Sequence, residues 1–204
     1  MLQGELLSAA DLGRLGALHV ESIPGSLPAL LGAGYAARLY RFFVDSPREL
    51  LLCERVGGRV EGACVVSLDP DTSFARITRA TLPWLAASAL ARLPRSGLRR
   101  YLRGWLVERL RGGSADLPAP AIIYVFTSAP LRGSGLGARL LAQVEEALRA
   151  RGLREVHVKT LAEPTNRAIA FYERQGYQRA GTVQEGGQEF VVLRRALGDS
   201  RPQA

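Results

Sequence analysis

Two rhythms of apolar residues interleave along this chain: a helical one, with apolar neighbours three or four positions apart, and short extended runs. Ser8, with Asp11 three residues on, predicts a capped helix from Ala9 to Val20. Ser22-Ile23-Pro24-Gly25-Ser26 breaks it. One second helix is expected to run to Val44, with Leu27, Leu30, Leu31, Tyr35, Leu39 and Phe42 on a broad face, and Asp45-Ser46-Pro47 ends it. Leu50–Val56 and Arg59–Leu68 read as a hairpin around Gly57-Gly58. Ala121–Thr127, rich in Ile, Val, Tyr and Phe, reads as a buried strand. A glycine-rich turn then opens a helix to Ala150, its stripe formed by Leu136, Leu140, Leu141, Val144 and Leu148, with Gly152 past its end. Glu155–Thr160 is a further strand. Thr165 or Asn166 can cap a helix that stops near Gln175 at Gly176. Strands at Gln178–Gln184 and Gln188–Arg194 turn at Gly186-Gly187, and Gly198–Ala204 is expected to be a disordered tail.

A strand, a crossover helix and a strand require a parallel pair, whereas hairpins are antiparallel. The expected fold is therefore α/β: a mixed, twisted sheet flanked by helices, with room for a strand before the first helix. Residues 1–197 are expected to form one domain. Within it, 74–116 form a helical, basic insertion between the third and fourth strands, counting that leading strand.

Of the 204 residues, 47% are hydrophobic and 23% charged, an ordinary composition for a folded protein. The longest nearly charge-free apolar stretch, Thr81 to Ala91, is too short to cross a bilayer, which takes about 20 residues. No basic start followed by an apolar run marks a signal peptide. A soluble, cytoplasmic protein is expected. In the simplest hairpin register Cys53 faces Gly62 and Leu51 faces Cys64. The thiols would then be diagonal, with Cβ atoms about 7–8 Å apart, against about 4 Å in a disulfide. Two free thiols and no zinc or other metal site are expected.

The net charge of +8 is concentrated. Residues 74–111 hold nine arginines and one acid, Glu108, and in the rest of the chain bases and acids cancel. All but one of the 27 basic residues are arginine, the exception being Lys159. Within this segment Thr81-Leu82-Pro83 is expected to start a helix and Pro94 to stop it. Ser96 can cap another, with Leu98, Leu102, Trp105, Leu106 and Leu110 on one face, Arg99, Arg100 and Arg103 off it, and Gly112-Gly113 at its end. The 82–111 segment can meet an anionic partner: a lipid surface, RNA phosphates or an acidic acceptor. The favoured reading is that its apolar face packs over the sheet and its arginines are solvated.

Candidate chemistry centres on Ile122 to Gly137. Glycines at the mouth of a helix let an anion approach first-turn N–H groups, with the positive end of the helix dipole behind them. No Lys-Ser/Thr follows, so this is not a Walker A loop, and the glycine spacing is not that of G-x-G-x-x-G. Arg132-Gly133-Ser134-Gly135-Leu136-Gly137 fits R-x-x-G-x-G and resembles motif A of the GNAT superfamily of N-acetyltransferases. Ala168-Ile169-Ala170-Phe171-Tyr172-Glu173-Arg174-Gln175-Gly176-Tyr177 is similar to its motif B.

The resemblance implies acetyl transfer from acetyl-CoA to a primary amine of a small molecule, amino sugar or peptide, by direct attack in a ternary complex. Backbone groups of Val125 and Thr127 would bond the pantetheine arm, and N–H groups of Arg132, Gly133, Ser134, Gly135, Leu136 and Gly137 the pyrophosphate. Asn166, or Thr165 beside it, would add a CoA contact, and Tyr172 would protonate the leaving thiolate. The chain departs from the family at Ala129, where proline is usual, and in having no acid on Ile122–Thr127. Glu21 and His19 are the candidate bases, and direct attack after proton loss to water is the alternative. The competing class is a non-catalytic module that binds CoA, lipid or RNA on the same fold.

Overall fold

The computed structural model describes residues 7–92, 96–110, 117–185 and 188–198, with residues 96 and 105–110 as backbone only. Its elements are α1 (Ala9–Ser22), α2 (Leu27–Leu31), α3 (Ala33–Asp45), β1 (Glu49–Val56), β2 (Arg59–Ser67), α4 (Pro70–Arg92), α5 (Ser96–Leu110) and β3 (Ala121–Thr127). After a 3-10 turn (Ala129–Leu131) come α6 (Leu136–Arg149), β4 (Glu155–Leu161), α7 (Arg167–Arg174), β5 (Gln178–Glu185) and β6 (Gln188–Ala196). The expected leading strand, Pro94, Gly112-Gly113, the Gly186-Gly187 turn and the tail past Gly198 lie outside the described residues. So do the side chains of Trp105, Leu106 and Leu110.

The sheet order is β1-β2-β3-β4-β6-β5. Only β3 and β4 run parallel; the other neighbours are antiparallel. The helices α4 and α5 fall between β2 and β3. Two apolar clusters cover the two sheet faces. Leu15, Leu18, Leu39, Tyr40 and Phe43 of α1 and α3 pack on Leu51, Cys53, Val65 and Phe126. On the other face Leu136, Leu140, Leu141 and Tyr172 of α6 and α7 pack on Leu52, Cys64, Ile122 and Val158.

Ser8 and Asp11 form the expected capping box on α1. The Asp11 carboxylate also accepts two bonds from the Arg55 guanidinium, at 2.8 and 2.9 Å, which ties α1 to β1. Three expectations are corrected. The second helix is two helices, because Gly32 sits at φ 90° and its N–H turns back to Ala29. The helix expected from Thr81 begins at Pro70 instead and carries Pro83 in its interior. Its first turns are anchored by ion pairs from Arg76 to Glu49 and Asp69, and Pro83 faces solvent, where water can meet the carbonyl that it leaves unpaired.

The hairpin register is also shifted. A bulge leaves Glu61 without an opposite number, so Cys53 faces Ala63 and Cys64 faces Leu52. The two thiols consequently sit on opposite sides of the sheet, and both are free. Burial pushes Cys53 up to about 12 and Cys64 higher still. Within α5, Leu98 is buried against Leu31 and Tyr35, whereas Leu102 is 38% exposed and Arg99, Arg100 and Arg103 face solvent. Of the expected face, Leu98 is packed and Leu102 is partly exposed.

Candidate active site

The sheet opens at its centre. The strands β3 and β4 share only the pairs Ala121↔His157 and Ile122↔Val158, and beyond them the two strands part. A bulge at Ile123, between the partners of Val65 and Val66, turns β3 with β2. The end of β4 is drawn the other way, with Ala162 N–H donating to Glu189 C=O. The resulting gap is lined on one side by backbone. Ser128 N–H donates to Glu61 C=O at 2.8 Å. In an antiparallel ladder donors alternate in direction, so Phe126 also points to β2, while Val125 and Thr127 turn their N–H and C=O groups into the gap. At its mouth Ser22 Oγ of α1 donates to Thr127 C=O at 3.4 Å.

The glycine turn closes one end of this gap. Gly133 and Gly135 hold φ of 84° and 82°, a left-handed conformation that glycine adopts without steric penalty. Arg132 N–H and Ser134 N–H are engaged inside the turn, with Ala129 and Leu131 carbonyls, and the Ser134 hydroxyl also donates to Leu131 C=O. Among the described residues, nothing accepts from the N–H groups of Gly133, Gly135, Leu136 and Gly137. The expected cradle is therefore narrower than the whole run Arg132–Gly137. It sits at the N-terminus of α6, where the helix dipole favours an anion, and a side chain at Gly133 would extend into open space. The Arg132 side chain is exposed. Arg139, one turn into α6, brings its guanidinium to 3.7 Å from where a Gly135 Cβ would stand. The residue-by-residue reading missed Arg139; its place four residues after the N-cap is the signal that could have found it.

Motifs A and B meet directly. A Cβ at Gly137 would lie 3.3 Å from the Phe171 ring, so this glycine sets how closely α6 approaches α7. Gly62 on β2, likewise unforeseen, makes room for the first turn of α6: a Cβ there would come within 2.4 Å of Leu136. Gly176 ends α7 at φ 83°, with Arg195 Nη1 2.8 Å from the missing Cβ.

Residues 85–177 match the model of the acetyltransferase (GNAT) family, a span that holds the gap, the cradle and both motifs. That span is a GNAT acetyltransferase domain. The fold of the chain is that of solved GNAT acetyltransferases. A structure described as an acetyltransferase of this family from Desulfovibrio desulfuricans has 15% identity and a TM-score of 0.60, over 95% of this chain and 96% of that one. The ribosomal-protein-alanine N-acetyltransferase of Brucella melitensis has 18% identity and a TM-score of 0.56, over 93% and 96%. The ribosomal-protein-S18-alanine N-acetyltransferase of Escherichia coli has 13% identity and a TM-score of 0.54, over 98% and 96%. At such identities the likeness is one of fold. No curated protein sequence matches the chain significantly.

Within this GNAT fold the remaining candidate residues separate. Tyr172 is 4% exposed, 5.3 Å by ring centroid from Phe171 and 5.4 Å from Tyr177, and burial raises its hydroxyl well above the ordinary tyrosine value. It shares its cluster with Cys64. Asn166 is the cap of α7: Oδ1 accepts from Ala168 N–H at 3.0 Å, and Nδ2 donates to Thr160 Oγ1 at 2.8 Å and Leu161 C=O at 2.7 Å. Both its amide hydrogens are thereby engaged within the protein.

His19 is fully buried. Ser26 gives its single hydroxyl hydrogen to Ile23 C=O, so it must accept from His19 Nε2–H at 2.8 Å, and His19 Nδ1 accepts from the Tyr40 hydroxyl at 2.9 Å. Burial lowers His19 to about 4. A neutral ring with both nitrogens bonded is not placed to take a proton from substrate. Glu21 is exposed in the last turn of α1, next to Ser22 at the mouth of the gap. On β4, Lys159 follows the last β3–β4 pair and forms an ion pair with Glu185 of β5, a charged pair that the sequence reading did not connect. Among the described residues no group of His, Cys, Asp and Glu could hold a metal ion.

Proposed function

We propose that the chain moves an acetyl group from acetyl-CoA to a primary amine of a small molecule, amino sugar or peptide. The observation that carries this reading is the parted strand pair, whose outward backbone groups at Val125 and Thr127 lead straight to the anion cradle of α6. An extended amide-bearing arm fits the strand edge, and a pyrophosphate fits Gly133, Gly135, Leu136 and Gly137, with Arg132 and Arg139 adding charge. In this reading residues 1–197 are the catalytic domain and 74–116 its insertion. Free thiols on opposite sheet faces suit a reducing compartment, here the cytoplasm.

The amine attacks the thioester carbonyl carbon, the C–S bond breaks, and the thiolate takes a proton from Tyr172. A tyrosine hydroxyl is protonated at neutral pH, which is the state an acid needs. No carboxylate lies on β3. Glu21, exposed beside Ser22 at the mouth, takes the ammonium proton directly or through water. No enzyme thioester is needed: Cys64, close in the core, is buried and protonated.

Titration calorimetry with acetyl-CoA, followed by thiol release across an amine panel, tests the reading. Tyr172→Phe should leave the acetyl-CoA Kd unchanged and lower kcat about 10²–10⁴-fold; unchanged turnover would remove the acid role. Arg132→Glu should weaken acetyl-CoA binding. Binding without acceptor-dependent thiol release would favour the non-catalytic module, and absence of binding would sink both.

A further inference from the structure

The second half of α4 is apolar on both sides. From Thr81 to Ala91 it has no charged residue. Its inward side, Leu85 and Ala89, joins Leu27, Leu30, Leu31, Tyr35 and Leu98 in a small cluster that seats both α4 and α5 on α2 and α3. Packing explains that side. The outward side is different: Leu82, Trp84 and Leu90 are 55%, 42% and 75% exposed, with Pro83, Ala86 and Ala87 between them and also exposed. Exposed cations lie on the same helix and on its neighbours. Arg79 precedes it, Arg38 of α3 places its guanidinium 4.9 Å from the Trp84 ring, and Arg99, Arg100 and Arg103 stand exposed on α5. Arg76 and Arg92 are engaged, one with Glu49 and the other over Gly32. Arg79, Arg99, Arg100 and Arg103 form no ion pair among the described residues.

We propose that α4 and α5 form a docking surface for an anionic lipid bilayer. Leu82, Trp84 and Leu90 enter the boundary between headgroups and acyl chains, and the arginines meet lipid phosphates. Bulky apolar side chains beside unpaired cations, with an indole among them, are what such an interface selects. Among the described residues no helix is long and apolar enough to cross a membrane, so the contact is peripheral. An RNA surface would account for the arginines but leave Leu82 and Leu90 in water. A second copy of the chain would bury the leucines but set one concentrated positive segment against another. A bilayer bearing anionic lipid accommodates both features.

The test is sedimentation of the full chain with vesicles of phosphatidylcholine alone or mixed with phosphatidylglycerol, over a range of salt. Binding to the mixed vesicles only, weakening with salt, is expected. Replacing Arg79, Arg99, Arg100 and Arg103 with glutamine should reduce partitioning by a hundredfold or more, since each arginine near the surface contributes about fivefold. Leu82→Gln with Leu90→Gln should reduce it at least about tenfold, with circular dichroism like the parent because both positions are exposed. In Trp105→Phe, the emission of Trp84 should shift to the blue on binding; sedimentation of the leucine variant decides the matter if that protein does not fold. Failure to bind mixed vesicles at low salt overturns the proposal. So does RNA binding that the arginine variant loses and the leucine variant keeps, in a protein indifferent to lipid. Self-association abolished by the leucine variant, without vesicle binding, would assign the surface to a second copy instead.

Discussion

His19 lies edge-on to Tyr40, Tyr124 and Phe126, with ring centroids 5.8, 4.7 and 5.9 Å away, and no water reaches it. Its folded value of about 4 lies below the ordinary 6.5 because burial penalises the cation. The unfolded chain therefore binds the extra proton first. Nothing is lost above about pH 6.5, and stability falls as pH drops from there toward 4, by about 3 kcal/mol in all. Urea midpoints between pH 7.5 and 4.5 should show this fall. His19→Asn should be less stable at neutral pH but lack the His19 share of the slope; an unchanged slope would assign it to other groups. The family resemblance marked His19 and Asn166 as candidates for chemistry. What a linear chain could not show was that Ser26 and Tyr40 occupy both imidazole nitrogens, or that Thr160 and Leu161 occupy the amide. Partners that come from other elements decide whether a polar side chain is free to react.

The helices that carry the motifs were legible because their glycine stops and apolar stripes agree, and Ala121–Thr127 because it is short, apolar and followed by a turn. The α2–α3 break, the early start of α4 and the bulges at Glu61 and Ile123 were not, since each depends on a neighbouring element. Two glycines of α1 make the distinction measurable. At Gly16 a Cβ would stand 2.4 Å from Ala33 C=O and 2.8 Å from Ala37 N, so α1 and α3 touch backbone to backbone there. At Gly13 nothing lies within 4 Å. Gly16→Ala should cost about 1–3 kcal/mol by forcing the helices apart. Gly13→Ala should stabilise by about 0.4–1 kcal/mol, because alanine loses less conformational freedom in a helix. Denaturant midpoints for the two variants should move in opposite directions, and a common direction would contradict the α1–α3 contact.

Across the whole molecule, the β1–β3 half of the sheet meets the β4–β6 half through two residue pairs and through the core beneath α6, which reaches from Leu50 and Leu52 to Val191 and Leu193. A ligand lying in the gap would bridge the halves on the side where the sheet does not. Acetyl-CoA at about a hundred times its Kd should add about 2.7 kcal/mol, which for a chain of this size raises Tm by roughly 5–10 °C. Inorganic pyrophosphate could reach only the cradle and, at the same concentration as acetyl-CoA, should raise Tm far less. The two ligands should also differ in amide exchange. Phe126 and Ser128 already donate to β2, so their protection should change little. Val125 and Thr127 point into the gap and should gain protection with acetyl-CoA but not with pyrophosphate. If the two ligands protected the same amides, binding would stop at the α6 turn. The parted strands would then be a structural break rather than the cofactor's seat.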